Sequence, residues 1–180
     1  MRIVGGKYRG KKLWAPDGKN VRPTSERARE AIFNILYSHL GGEYENLSLL
    51  DVFAGTGAFG LEAISRGFKQ VTFVDTDITA VAKNIKMFTA ESENLNVIKA
   101  DATHLPKARK KYDMVFADAP YSLGLTPKAL QQLAKQGWLK EKALCIVEIR
   151  QDEKWLLPEE FELIDERIYG LARVLFLRFK

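Results

Sequence analysis

Two short stretches carry residue types whose spacing can do chemistry. The first is Leu49-Leu50-Asp51-Val52-Phe53-Ala54-Gly55-Thr56-Gly57-Ala58-Phe59-Gly60. An apolar run ends in a glycine-rich bend and an apolar-periodic segment follows, which reads as strand, tight turn and helix. Gly55 can take a positive φ at the bend, and Gly57 lets the backbone approach a ligand closely. Gly60 lets the new helix pack tightly on the strand. A G-x-G-x-x-G turn in that setting is a nucleotide-cofactor signal, common to NAD, FAD and S-adenosylmethionine sites. Asp51 narrows it. A carboxylate closing an otherwise apolar strand needs a cationic or hydrogen-bonding partner, and the ammonium of a methionine moiety would serve.

The second stretch is Asp118-Ala119-Pro120-Tyr121, which follows the apolar run Tyr112–Ala117. An exocyclic amine on a base is a poor nucleophile, because its lone pair is delocalised into the ring. Acceptors that hold both amine hydrogens favour a tetrahedral nitrogen with its lone pair free to attack. Asp118 supplies one acceptor and the backbone carbonyl of Ala119 the other. Tyr121 offers a flat face to a base taken out of its stack. The cofactor turn and this tetrapeptide together suggest methyl transfer to an amino group.

Alternating elements must position these residues. Strands are expected at Ser48–Phe53, Gln70–Asp75, Asn96–Lys99, Asp113–Ala117 and Ala143–Ile149, with helices at Phe59–Ser65, Ile78–Phe88 and Pro127–Lys135. Thr126 should cap the last helix, with Pro127 at its first position. Two further strand-like runs, Phe161–Tyr169 and Arg173–Phe179, join at Gly170. The alternation predicts an α/β, doubly wound, mostly parallel sheet, and the terminal hairpin adds an antiparallel edge. Ligands of such sheets bind outside the carboxyl ends of the strands. Asp75 closes the second strand and can accept from ribose hydroxyls. Asp77 reads as the N-cap of the helix that follows. Asp101 follows the third strand, where it can take an adenine amine or serve simply as a turn residue.

Ahead of this body lies a basic segment. Residues 1–30 hold nine Lys and Arg against three Asp and Glu, more than the whole net charge of +5. Such clustering favours a polyanion-binding arm. Residues 1–46 are therefore expected to form an RNA-binding extension and residues 47–180 the catalytic domain. Within the extension, Arg2–Tyr8 and Lys12–Ala15 read as a small β-hairpin. Glu26–Ser38 reads as an amphipathic helix capped by Thr24. Candidate phosphate contacts are Arg2, Lys7, Arg9, Lys11, Lys12, Arg22, Arg27 and Arg29, with Arg27 and Arg29 placed off the apolar stripe. Tyr8 and Trp14 either stack on bases or pack the hairpin down.

Composition sets outer bounds. At 180 residues with 46% hydrophobic and 28% charged content, one globular domain is expected. No apolar run approaches the roughly 20 residues of a membrane span, and the first residues lack the apolar core of a secretory signal. Cys145 is the one cysteine, expected buried in a strand, so no intramolecular disulfide forms. His39 and His104 read as surface residues, no Cys/His cluster has metal-ligand spacing, and no metal is expected. The cytoplasm is the expected compartment.

With both motifs read, the chain resembles the RsmD-type bacterial 16S rRNA guanine-N2 methyltransferases. The matching stretches are Arg2-Ile3-Val4-Gly5-Gly6-Lys7-Tyr8-Arg9-Gly10-Lys11, Arg22-Pro23-Thr24-Ser25-Glu26-Arg27-Ala28-Arg29-Glu30-Ala31-Ile32-Phe33-Asn34, Leu50–Ala63, Ser65-Arg66-Gly67 and the tetrapeptide at Asp118. The resemblance implies a Rossmann-like, seven-stranded S-adenosylmethionine-dependent methyltransferase fold. It implies methylation of the exocyclic N2 amine of guanine 966 of 16S rRNA; free rRNA and a small-subunit particle both stay open as the substrate, and a monomer is expected. It places cofactor contacts around Asp51, Gly55, Asp75 and Asp101, with Phe53, Gly57 and Ala102 beside them. It places catalysis at Asp118, Ala119, Pro120 and Tyr121. The usual family tetrapeptide has two prolines, and Ala119 stands where the first would be. The acceptor carbonyl is kept, and the fixed φ of proline is lost. Three alternatives stay open on residues alone: methylation of another RNA or DNA base, an NAD-dependent oxidoreductase, and a non-catalytic RNA-binding protein on the same scaffold.

Overall fold

Period-two alternation of apolar residues builds the centre of the sheet, because successive strand side chains point to opposite faces. Leu49, Met114, Phe116, Leu144 and Ile146 enter one core cluster, and Leu50, Val115, Ala117, Cys145 and Val147 enter the other. The computed structural model describes residues 1–16, 25–121 and 123–180. Its helices are α1 (Glu26–His39), α2 (Ala58–Ser65), α3 (Thr79–Ile85) and α4 (Leu125–Lys135). Its strands are β1 (Ser48–Val52), β2 (Gln70–Asp75), β3 (Leu95–Lys99), β4 (Tyr112–Asp118), β5 (Leu139–Arg150), β6 (Phe161–Tyr169) and β7 (Ala172–Phe179). They form one sheet in the order β3-β2-β1-β4-β5-β7-β6. β1 to β5 run parallel, and β7 inserts antiparallel between β5 and β6. Helices α1, α2 and α3 cover one face through Phe33, Leu36, Phe59, Leu61 and Val81. Helix α4 covers the other face through Ala129, Leu130 and Leu133. The parallel, doubly wound sheet with an antiparallel terminal hairpin is the architecture expected. No helix of the described residues is long and apolar enough to cross a membrane.

The chain order reverses between β1 and β4, which are neighbours in the sheet. A crevice opens at such a switch point, beyond the carboxyl ends of the two strands. Strand periodicity decides which polar residues meet there. Asp51 follows Leu49 by two residues, Asp75 follows Phe73, Asp118 follows Phe116 and Glu148 follows Ile146. All four acids therefore belong to the sheet face that carries α1 and α2.

Local expectations fail where tertiary partners outbid the local pattern. The N-terminal hairpin shrinks to a single antiparallel bridge, Arg2 to Lys12. Four of its backbone donors are spent on α2: the Val4 and Gly5 amides reach the Glu62 carboxylate, Lys7 N the Ser65 carbonyl, and Tyr8 N the Ser65 hydroxyl. Helix α3 stops at Ile85 rather than Phe88. The Phe88 amide steps back only three residues to the Ile85 carbonyl, and the buried ring turns inward. At its start, Asp77 accepts from the Thr79 amide at 3.0 Å, although Ile78 occupies the cap position. Helix α4 begins earlier than expected, after Gly124 at φ +60°, so Pro127 is its third residue and Thr126 is a buried helical residue rather than the cap. Helix α1 is capped by Ser25, whose hydroxyl accepts from the Ala28 amide at 3.1 Å. Thr24 and Arg22 lie outside the described residues.

Candidate active site

The bend after β1 is held in unusual backbone. Phe53 has φ +58°, a left-handed conformation that a bulky residue rarely adopts, and Gly55 and Gly57 have φ +55° and +75°. Strain of this kind persists only where surrounding structure enforces it, and it gathers at ligand sites. Enforcement here comes from both sides. The Gly55 amide donates to Asp75 Oδ2 at 2.8 Å, tying the bend to the end of β2. The Gly60 amide donates to Asp51 Oδ2 at 3.0 Å, tying α2 to β1. A Cβ on Gly60 would sit 2.4 Å from the Phe73 ring and 2.7 Å from Val71, so the close helix-to-strand packing expected of Gly60 is present. A Cβ on Gly57 would strike Val81 at 2.7 Å, so its bareness serves packing against α3 as well as its φ.

Asp51 is 2% exposed, and burial pushes its carboxyl well above the ordinary carboxylate range. The Gly60 hydrogen bond offsets part of that, and the nearby Asp75 charge adds to it. Among the described residues, no ion pair compensates Asp51. It lines a cleft with Phe53, Gly55, Phe59, Phe116, Asp118 and Arg29. The cleft thus joins the two chemically suggestive stretches, one from the β1 bend and one from the end of β4. Its floor is the Phe59 ring stacked on Phe116 at 3.6 Å. Asp75 adjoins through Gly55. Its Oδ1 also accepts from the Asp77 amide at 3.0 Å. Asp101 stands apart from the cleft, exposed, with Oδ1 accepting from the Thr103 amide and hydroxyl and Oδ2 meeting His104 Nδ1 at 3.0 Å. Those bonds, led by the Thr103 hydroxyl, hold its carboxyl below the usual range. Ala102 is buried in the turn that Asp101 caps.

Beyond β4, Ala119 is buried, Pro120 exposed and Tyr121 half-buried. The Tyr121 hydroxyl donates to Glu148 Oε1 at 2.9 Å. Glu148 is 3% exposed and pairs in register with Asp118 on the neighbouring strand.

One basic residue corrects the expectation for the arm. Arg29 is not a phosphate contact: it is 1% exposed, on the inward side of α1. Its Nε lies 3.5 Å from Glu62 Oε2, and Nη2 donates to the Arg2 carbonyl. Its neighbour Arg27 is exposed, as are Arg2, Lys7, Arg9 and Lys12, with Lys11 half-buried. Lys7 pairs with Glu91 at 2.9 Å, and Arg2 with Glu26 at 2.9 Å. Tyr8 packs edge-on against Phe88 and donates to Glu91, and Lys83 lies over the Trp14 ring at 3.9 Å. Of the two options for these rings, packing against the body is the one present.

Sequence reasoning passed over Glu62, Asn84 and Glu148. Glu62, fully buried, takes the Val4 and Gly5 amides, Arg66 Nε at 2.8 Å and the Arg29 charge. Asn84 bridges Trp14 N and O to the Thr56 carbonyl, linking the N-terminal segment to the glycine bend. A polar residue inside an apolar helical or strand pattern was the available signal for all three.

The strand order, the reversed β7 and the glycine bend beside a buried acid define a methyltransferase-type α/β fold. N-methyltransferase NodS from Bradyrhizobium japonicum, solved with S-adenosyl-L-homocysteine, shares that fold at a TM-score of 0.68 and 13% identity, covering 92% of this chain and 93% of that one. The chain belongs to the family described as "Conserved hypothetical protein 95", whose model matches residues 1–178. It is 34% identical to the ribosomal RNA small subunit methyltransferase D of Haemophilus influenzae, covering 96% of this chain and 90% of that protein. It is likewise 34% identical to the protein of that name from Escherichia coli, over 94% of this chain and 85% of that protein. A solved structure described as putative methyltransferase yhhF from Escherichia coli superimposes with a TM-score of 0.83 at 32% identity, covering 100% of this chain and 98% of that one.

Proposed function

We propose that this protein transfers a methyl group from S-adenosylmethionine to the exocyclic N2 amine of a guanine in small-subunit (16S) rRNA, the base at position 966. The observation that carries the reading is the shared cleft: Asp51, Phe53 and Gly55 from one motif line it together with Asp118 from the other. Membership in a family whose relatives are named small-subunit rRNA methyltransferases supports it, and the strand order supports the fold that such chemistry uses. The nicotinamide alternative leaves Asp51 and the tetrapeptide without a role. The substrate is free rRNA or a small-subunit particle, and the enzyme acts as a monomer in the cytoplasm.

The residues present fit the cofactor by their chemistry. Asp51 is a desolvated carboxylate that gains from a cation, and Asp75 is an acceptor fixed at a strand end. When bound, S-adenosylmethionine supplies an electrophilic methyl group. Asp51 then balances the ammonium, and Asp75 accepts from the ribose hydroxyls. Asp118 and the Ala119 carbonyl accept the two amine hydrogens and draw the guanine nitrogen toward tetrahedral geometry. With the cofactor bound, that nitrogen would take the methyl group, its lone pair forming the C–N bond and the C–S electron pair leaving with sulfur. Positive charge develops on the nitrogen, so the Asp118 carboxylate stabilises the transition state more than the ground state. It is also the acceptor at hand for the departing proton. Tyr121 stacks on the extruded base.

Replacing Asp118 by alanine should lower single-turnover methylation of a small-subunit rRNA fragment by roughly 10²–10³. The dissociation constant for S-adenosylhomocysteine should stay unchanged. An Asp118→Ala protein that methylates at the wild-type rate would reduce the tetrapeptide to a turn and remove the catalytic assignment.

A further inference from the structure

We infer that Glu148 is a positioning residue for base capture: it holds Tyr121 in the orientation that the extruded base requires. The inference rests on the proposed function and extends it to a residue outside both motifs.

Three observations carry it. The Tyr121 hydroxyl donates to Glu148 Oε1 at 2.9 Å, across 27 positions of sequence. Glu148 is 3% exposed, yet it ends a run of apolar strand residues, Leu144 to Val147, in the middle of the sheet. It is also the register partner of Asp118, so the β4 and β5 ends present two carboxylates side by side, one at each end of the Asp118–Tyr121 segment. A carboxylate placed in such a spot is costly unless it is hydrogen-bonded, and a charge-assisted bond from a phenol is correspondingly strong.

The need for such a bond follows from the segment itself. Tyr121 is half-buried and sits in a turn beyond the sheet, next to the exposed Pro120. Ala119 lacks the fixed φ that a proline there would impose. A hydrogen bond at the far end of a phenol ring on that turn restricts its χ1 and χ2. Glu148 ties the far end through the hydroxyl, in the plane of the ring. A rigid strand thereby sets the ring's angle, and rigid elements place groups more accurately than loops do.

The test compares Tyr121→Phe, Glu148→Ala, the double variant and Glu148→Gln in single-turnover methylation of the rRNA fragment at saturating RNA. Affinity for S-adenosylhomocysteine is measured alongside, and melting temperature is recorded for each variant. Tyr121→Phe keeps the ring and the fold and removes only the tie. It should lose about tenfold to hundredfold in rate, the range for a hydrogen bond to a charged acceptor. Glu148→Ala should lose a similar factor, and the double variant no more than the worse single one. Glu148→Gln keeps an acceptor oxygen and should recover most of the rate. In a fragment carrying 2-aminopurine at the target position, the wild type should quench the extruded base by stacking, and Tyr121→Phe should quench it less. Should Tyr121→Phe match the wild type in rate and quenching, or the two losses multiply in the double variant, Glu148 does not act through Tyr121 and the inference is overturned. A wild type that transfers no methyl group at all overturns the functional reading, and this inference with it.

Discussion

Two buried carboxylates, Glu62 and Asp51, lie on adjoining elements and are treated oppositely by their surroundings. Glu62 is 0% exposed and surrounded by donors: two backbone amides from the N-terminal segment, Arg66 Nε and the Arg29 guanidinium. Asp51 is 2% exposed and takes the Gly60 amide, with Asp75 rather than a cation as its charged neighbour. The first acid has its countercharges within the chain. The second has no ion-pair partner among the described residues, and the proposed function gives it the ammonium of the cofactor. Burial of an acid is therefore no mark of a ligand site, and the decisive feature is whether its countercharge is already present.

Breaking the complete site should have the largest effect. Glu62→Ala removes the buried ion-pair partner of Arg29 and frees the Val4 and Gly5 amides. The cost should be about 3–5 kcal/mol of stability, the range for breaking a buried ion pair from one side. A shift in the urea midpoint at constant slope measures it. A variant as stable as the wild type would mean that the N-terminal segment is not held through Glu62. Smaller in size is the effect of the acid at the end of β2. Asp75→Ala removes the acceptor from the Gly55 amide and from the proposed ribose contact. It should weaken S-adenosylhomocysteine by about 1.5–3 kcal/mol. Calorimetry returning the wild-type dissociation constant would assign the ribose to another group.

The arginines of α1 repeat the contrast between inward and outward charge. Arg29 points into the core and Arg27 into solvent, two residues apart. If Arg27 meets a phosphate, Arg27→Ala should flatten the slope of log affinity for RNA against log salt by about 0.7–0.9. Protein stability should stay within about 0.5 kcal/mol of wild type, as for surface changes generally. An unchanged slope would take Arg27 out of the RNA interface.

The extent to which sequence anticipated this molecule follows the same division between local and tertiary causes. The sheet was legible because strand periodicity and the glycine bend are local signals. The boundaries of β2 and β6 are as read, β5 begins four residues before the Ala143 expected, and each end of the other strands lies within one residue of its expected place. The N-terminal hairpin was not legible, because its amides are claimed by Glu62 and Ser65, more than 50 residues away. Asp51 was legible as an acid out of place in an apolar strand. Glu62 carried a similar signal, an acid within the apolar helix Ala58–Ser65, and its partners in the N-terminal segment and on α1 were what the sequence did not show. The side of α1 taken by Arg29 was misread for a related reason. A helical wheel orders residues by hydropathy, and only the buried partner on α2 makes the inward face right for an arginine. The meeting of Asp51 with Asp118 depends on the strand order, which alternation of elements does not specify and the β1–β4 pairing supplies.

The smallest expected effect is the most discriminating. In the free protein, burial holds the Asp51 carboxyl well above its ordinary range. The native state then binds a proton more tightly than the unfolded chain, so stability falls as pH rises from the unfolded carboxylate value, near 4, through the raised native one. At neutral pH Asp51 is a net burden on the free fold. Asp51→Asn keeps an oxygen for the Gly60 amide and removes that burden. The variant should melt slightly higher than the wild type at pH 7, and the gap should close as pH falls toward 4. Excess S-adenosylhomocysteine should reverse the order at pH 7. On the proposed function its ammonium compensates Asp51 but would not gain from an asparagine, and tighter binding raises the melting temperature further. The crossover separates a ligand-completing carboxylate from a structural one. If Asp51→Asn binds S-adenosylhomocysteine as tightly as the wild type and the order never reverses, Asp51 holds no cation, and the contrast with Glu62 collapses.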